Sequence, residues 1–504
     1  MVHSEPIPSS CRSAPSPAIF KLDDDVLMYV FSLNADMELE TEERVPALLT
    51  LRHTSQVCTD WRTLATGSPT LWARLLDLRL LLKASGAWRD DVLRRTGTAL
   101  LRVKGYQREH TWRAEPWHSR MVNENWDRLQ SLDLSFTSMS QGEGERWLSI
   151  FQRPVSTLEI FRVSWPSNLS HNFELFSKEA PLLQTLSMRY LKQNILNLSF
   201  PNIRNFRLTS HESVSAPAFL DAISQMPLLE KLDISTCFIP GESSPKSLPL
   251  VSLPQLTKIS FYDRHGTGAN LLLLAHLVPA NGCNFSFFGS YDGRLIDDIS
   301  RELLHDILST YSTYCTELEN STTLDIKLRE NNIHLRAHRQ QTCPFHIHID
   351  WLCNNLPKHT IPNLLSSLKT LQIGKITEIT LTIEDPDLLS NPGVVAFILS
   401  LVSVETLRTA APTLRSLSVI QSNQNVVILP ALQMIDLDAS YLLFLDTREL
   451  LQLSFAKEFL TSRIGLGAPV ITLMIRGYQF PYLNNFFNEV PGLTVKGDGS
   501  GSLW

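Results

Sequence analysis

Two spacings of apolar residues divide the chain. Between residues 19 and 76 they follow a helical period. Leu22, Val26, Leu27, Val30 and Phe31 fall at i, i+4, i+5, i+8 and i+9, one face of a helix. Leu48, Leu51, Val57, Cys58, Trp61, Leu64 and Ala65 predict a second helix. Ser68-Pro69-Thr70-Leu71-Trp72 predicts the start of a third, with serine as cap and proline at the first helical position. Asp23, Asp24 and Asp25 open the first helix, where unpaired N–H groups and the helix dipole favour carboxylates. An acidic loop with Glu38, Glu40, Glu42 and Glu43 follows it.

From residue 87 onward a different template recurs, with apolar residues at i, i+3 and i+5. It reads Leu129/Leu132/Leu134, Leu158/Phe161/Val163, Leu183/Leu186/Met188, Ile203/Phe206/Leu208, Leu229/Leu232/Ile234 and Leu256/Ile259/Phe261. It returns as Ile376/Ile379/Leu381, Leu414/Leu417/Val419, Leu432/Ile435/Leu437 and Val470/Leu473/Ile475. Trp88 to Tyr106 predicts the first such unit, with Leu101 and Val103 on its strand. Helical segments at 216–226 and 394–406 precede two of the templates. A helix followed by a short strand, repeated, stacks into a parallel sheet. The expected class is therefore α/β: a three-helix module followed by an irregular leucine-rich-repeat solenoid, strands concave and helices convex. The repeat region spans 87–490 and is degenerate over about 265–375. There a helix through Ile296, Ile299, Leu303, Ile307 and Tyr311 is expected, with strands near 284–288, 323–328 and 345–350. Residues 1–18, rich in proline and serine, and 491–504, rich in glycine, read as tails.

Composition narrows the function. The chain has 504 residues, 43% of them hydrophobic, so it can bury a large core. Its formal net charge is −6 and no basic run is present, which argues against nucleic acid as a partner. Seven cysteines, an odd number at irregular spacing, do not read as a disulfide framework. No secretory signal and no apolar run long enough to span a bilayer is seen, so a cytoplasmic or nuclear setting without a membrane is expected.

The N-terminal blocks carry a family resemblance. Leu22-Asp23-Asp24-Asp25-Val26-Leu27, then Val57-Cys58-Thr59-Asp60-Trp61-Arg62, then Ser68-Pro69-Thr70-Leu71-Trp72, resemble the F-box in order and spacing. The family pattern opens with Leu-Pro, and Asp23 replaces that proline here. The resemblance covers about a tenth of the chain. It implies a substrate-receptor subunit of an SCF-type cullin-RING ubiquitin ligase, serving ubiquitin-dependent protein degradation. The F-box would bind a Skp-family adaptor, and through it cullin, while the repeats hold a protein substrate. Leu22, Asp23, Val26, Leu27, Val30, Val57, Cys58, Trp61, Leu71 and Trp72 are the adaptor-facing set so implied, some of which must instead form the module's own core. Such a protein makes and breaks no bonds itself and needs no cofactor. The alternatives are an F-box scaffold acting outside a ligase and an enzyme of unknown type.

The remaining residues offer two further readings. No phosphate-loop, serine-hydrolase or zinc-protease motif is present. Cys343, His346, His348, Asp350 and Cys353 cluster, and on a strand His346, His348 and Asp350 share one face. Their spacing matches no usual zinc pattern, and alternation with Phe345, Ile347 and Ile349 is what any half-buried strand shows, so no metal is assigned. His110, Trp112, Trp117 and His118 read as packing. If the template leucines face the core, the residues between them face outward. These include Asp133, Arg189, Arg207, Asp233, Tyr262, Asp436 and Asp438, of which Arg189, Arg207 and Tyr262 are the expected substrate contacts.

Overall fold

A computed structural model of the chain describes residues 22–37, 45–105, 116–166, 174–190, 200–210, 213–236, 238–239, 248–263, 268–291, 303–304, 306–307, 309–312, 322–329, 332–339, 342–351, 361, 365, 375–438, 447–476 and 486–497. The expected N-terminal tail and the acidic loop residues Glu38 to Glu43 lie outside them. The described chain forms two compact α/β units, residues 1–164 and 165–504. The helical module is not a unit of its own; it shares the first with four strands.

The first unit opens with helices α1 (Asp24–Asn34), α2 (Ala47–Thr54), α3 (Thr59–Thr66) and α4 (Pro69–Ala73). The second helix expected from sequence is thus two. Ser55 to Cys58 break the run, and Cys58 becomes the N-cap of α3, its sulfur accepting from the Trp61 N–H. The apolar spacing continued across the break because both helices bury one side against the same centre. Pro69 sits at the start of α4 as expected. Helices α5 (Leu78–Lys83) and α6 (Gly86–Arg95) follow, then α7 (Pro116–Glu124) and α8 (Gln141–Phe151). Strands β1 (Leu76–Asp77), β2 (Leu101–Gly105), β3 (Leu129–Ser135) and β4 (Ile160–Ser164) pair in sequence order, all parallel. Their register lines up Leu76, Val103, Leu132 and Phe161 in one buried row. From α8, Phe151 meets the Phe161 ring edge-on at 5.1 Å. On the other face Asp77, Lys104, Asp133 and Arg162 form a row of alternating charge. Lys104 Nζ donates to the Met37 carbonyl at 2.6 Å and fastens the end of α1 to the sheet.

The second unit holds strands β5 (Thr185–Arg189), β6 (Asn205–Thr209), β7 (Lys231–Ser235), β8 (Lys258–Asp263), β9 (Asn284–Tyr291), β10 (Thr323–Arg329), β11 (Asn332–Arg339), β12 (Thr342–Trp351), β13 (Glu378–Ile383), β14 (Thr406–Thr409), β15 (Met434–Asp438), β16 (Thr472–Arg476) and β17 (Thr494–Gly497). Its helices are α9 (Ala216–Ser224), α10 (Gly268–Ala275), α11 (Pro392–Leu399), α12 (Ala411–Gln424) and α13 (Thr447–Gly465). Strands β5 to β9 pair parallel in sequence order, and so do β13 to β17. Between them the order inverts. β9 pairs with β12, β12 with β11, β11 with β10, and β10 with β13. Only β11 among these runs antiparallel to its neighbours. The expectation of further parallel repeats over 265–375 is corrected by this inserted hairpin. The expected strands there are present; β11 was not foreseen. Of the helix expected nearby, Ile307 and Tyr311 are buried, Leu303 is half-buried, and Ile296 and Ile299 lie outside the described residues.

Two other expectations change. Leu414, Leu417 and Val419 lie on α12, not on a strand; the strand of that unit is β14, and α11 ends at Leu399. A spacing of three suits a helix as well as the template, and Pro412 in the first turn favours the helix. At the C-terminus, Thr494–Gly497 pair with β16, so part of the expected tail is a strand.

Two helices are clipped to the strand backbone by one polar side chain each. Asn270 of α10, fully buried, accepts from the Phe238 N–H at 3.0 Å and donates to the Thr236 carbonyl at 3.2 Å. Thr413 of α12 accepts from the Ile383 N–H at 2.9 Å. Orphaning a buried backbone group costs about 1–3 kcal/mol. Asn270→Leu removes both of these bonds from the buried interior, so the chain should unfold at clearly lower denaturant concentration. An unchanged unfolding midpoint would show that water replaces the clip.

Candidate functional site

Two exposed surfaces stand out, one in each unit. The first lies on the helical module. α1 buries Leu27 and Phe31, at 6% and 2% exposure. The Phe31 ring meets Trp61 of α3 edge-on at 5.1 Å. Leu71 and Trp72 are buried too; the Trp72 indole donates to the Ala65 carbonyl at 2.8 Å and lies under the Arg95 guanidinium. Cys58 and Trp61 are half-buried. On the outward side Leu22, Val26, Tyr29, Val30 and Leu33 are between 38% and 65% exposed, and Val57 after α2 is 60% exposed. The structure therefore divides the set that sequence left undivided. Leu27, Leu71 and Trp72 are core; Leu22, Asp23, Val26, Val30 and Val57 face outward. Tyr29 and Leu33 belong to the outward stripe and were missed. Counting on from Val26 by three and seven would have found them.

The second surface is the open face of the sheet in the second unit. Along each strand the residues alternating with the buried row stand on it, and Arg189, Arg207 and Tyr262 are all exposed there as expected. Arg207 lies 3.3 Å from Asp233. Tyr262 stacks flat on Phe288, ring centres 4.7 Å apart and planes within 4°. Burial pushes the Tyr262 hydroxyl above its ordinary pKa, and the Asp233 carboxylate adds to the rise. Phe288 in turn meets His346 at 4.5 Å.

His346, His348 and Asp350 do share this face, and β11 adds His334 and Asn332, which sequence reasoning missed because it did not foresee that strand. His334 Nε2 lies 3.0 Å from His346 Nε2, and His348 Nε2 lies 2.9 Å from Asp350. Asn332 bonds Asp350 as well. Burial, then neighbouring positive charge, lowers His334 to a pKa of about 4 and His346 to about 3. Both are neutral at physiological pH and can share one proton in a hydrogen bond. The Cys343 side chain and Cys353 lie outside the described residues. Among those described, no group of three or more His, Cys, Asp and Glu is arranged to hold a metal ion. Of the other cluster, His118 is buried with a pKa lowered by burial to about 4, and Trp117 packs under Arg89. His110 and Trp112 lie outside the described residues.

No family model matches the chain, and no curated protein matches it. Among the described residues no helix is long and apolar enough to cross a membrane.

The histidine pair makes stability depend on pH. Unfolded, each imidazole takes a proton near pH 6.5; folded, His334 and His346 do so only near 4 and 3. Between those values the unfolded chain binds more protons, so stability falls as pH falls. Denaturant midpoints measured from pH 7.5 to pH 5 should drop less steeply for a His334→Gln, His346→Gln chain than for the unaltered one. Parallel curves would mean that both imidazoles protonate freely in the folded state.

Proposed function

We propose that this protein is the substrate-receptor subunit of an SCF-type cullin-RING ubiquitin ligase. In this reading the outward stripe of α1 seats a Skp-family adaptor, which brings cullin. The open sheet face of the second unit holds the protein to be modified. The protein transfers no ubiquitin itself; it raises the local concentration of substrate lysines near the charged enzyme.

The observation that carries the proposal is the apolar stripe. Val26, Tyr29, Val30 and Leu33 line the exposed side of an eleven-residue helix that buries Leu27 and Phe31. A helix that keeps large apolar side chains on both sides has one side for its own core and another for a partner groove. The stripe falls within the block that resembles the F-box, and Val57 of the second block is exposed as well.

The partition between core and stripe fixes the experiment. Leu27→Asp would place a charge in the module's core and unfold it, so loss of binding would say nothing about the surface. Val26→Asp with Val30→Asp leaves the core intact. Losing an anchor costs roughly 2 kcal/mol or more, about thirtyfold in affinity. The double variant should lose capture of a purified Skp-family adaptor by at least that factor while keeping its thermal transition. Equal capture by both chains would sink the proposal. Capture of adaptor without cullin, in a mixture holding both, would point to a scaffold outside a ligase.

A further inference from the structure

The open face of the second unit is not uniform in charge. At its β13–β16 end, cations and carboxylates neutralise one another. Arg408 lies 2.5 Å from Glu378 and 3.4 Å from Asp436, and Arg476 donates to Asp436 at 2.8 Å. At the β5–β8 end, among the described side chains of this face, cations outnumber carboxylates. Arg189, Arg207, Lys231 and Lys258 stand on the same face with Asp233. Lys231 and Lys258 are direct register partners on neighbouring strands. Like charges so placed repel and destabilise the sheet that holds them. Asp233 pairs with Arg207 at 3.3 Å; burial raises its pKa, while Arg207, Lys258 and Arg189 act to lower it. The whole chain carries a net charge of −6, so the excess here does not follow from composition. Next to it lies the flat Tyr262–Phe288 stack, with Tyr262 37% exposed.

We infer that the β5–β9 end of this face binds an acidic peptide segment of a partner protein, with carboxylates on Arg189, Arg207, Lys231 and Lys258 and an aromatic or apolar side chain against Tyr262. The inference names the substrate chemistry of the face and so rests on reading that face as the substrate-holding surface. The spacing suits a peptide. Neighbouring strands are about 4.8 Å apart and alternate side chains of an extended peptide recur at about 6.6 Å, a difference that long, exposed arginine and lysine side chains can span. A ligand carboxylate placed between Lys231 and Lys258 also relieves their mutual repulsion. A nucleic acid fits less well, because its phosphate backbone would run over Asp233.

The test selects from a randomised displayed-peptide library on the purified full chain, without adaptor, and measures the enriched peptides by fluorescence anisotropy. Enrichment in Asp and Glu together with an aromatic residue is expected. Affinity should fall by about tenfold or more, some 1.4 kcal/mol, in Arg207→Glu with Lys258→Glu, and again at raised salt. Arg207→Gln with Lys258→Gln, which adds no new charge, should show a smaller loss in the same direction. Tyr262→Ala should weaken binding with the salt dependence kept. Thermal melts establish that each variant is folded; both cations are exposed, so folding should be retained. The inference is overturned by enriched peptides with no acidic bias, by equal binding to the folded charge-reversed chain, or by tighter binding of a single-stranded oligonucleotide at the same residues. Val26→Asp with Val30→Asp should leave peptide affinity unchanged, so adaptor capture and peptide binding can fail independently.

Discussion

Everything in the second unit depends on register. Backbone pairing fixes which residues of neighbouring strands lie opposite one another, and the pleat sends alternate side chains to opposite faces. One row runs through Leu186, Phe206, Leu232, Ile259, Phe285, Phe345, Ala337, Leu324, Ile379, Leu407, Ile435 and Leu473. Every one of these side chains is buried. A slip of one residue in any strand would turn its apolar side chains outward and put its charges into the core. The burial of one face thereby holds the other in place: Arg207 opposite Asp233 and Lys231 opposite Lys258 are consequences of where the leucines must go.

The inserted hairpin obeys the same constraint. β11 runs against its neighbours, yet it places Ile333, Leu335 and Ala337 in the core and His334, Arg336 and His338 on the open face. Chain direction can reverse without disturbing the rows, because parity of side-chain position, not polarity of the strand, decides burial. The reversal concentrates polar chemistry. Antiparallel pairing sets His334 directly opposite His348 and brings it within hydrogen-bond reach of His346. His338 lies 2.9 Å from Asp325 across the other ladder.

Much of this was legible because alternation and burial are written residue by residue. Nine of the ten apolar templates lie on strands, with their inner residues buried. The template at Leu414 failed since three-residue spacing does not separate helix from strand, while the real strand, Thr406–Thr409, has only Leu407 as a large apolar residue. The hairpin was hidden for another reason. Asn332 to Arg339 alternates well, but it is rich in histidine and arginine, and nothing local states which strand it pairs with. Pairing partners are non-local, and so was the inversion of strand order. In the helical module the blocks marked the place and the number of residues involved, but not which of two adjacent valine and leucine positions faces inward. Val26 and Leu27 differ by one step of helix rotation, and that step separates surface from core.

The two surfaces rest on different physics, and in the proposed receptor the difference has a use. The α1 stripe is apolar and uncharged from Val26 to Leu33, so association there removes hydrocarbon from water and is little affected by salt. Such an interface suits a partner kept for the life of a complex. The β5–β8 end of the sheet offers arginine and lysine around Asp233. Charge of this kind acts mainly on encounter rate and on the choice of partner, and contributes less to lifetime. A receptor must hold its adaptor while substrates come and go. An apolar helix face for the first task and a charged sheet face for the second divide the work along that line.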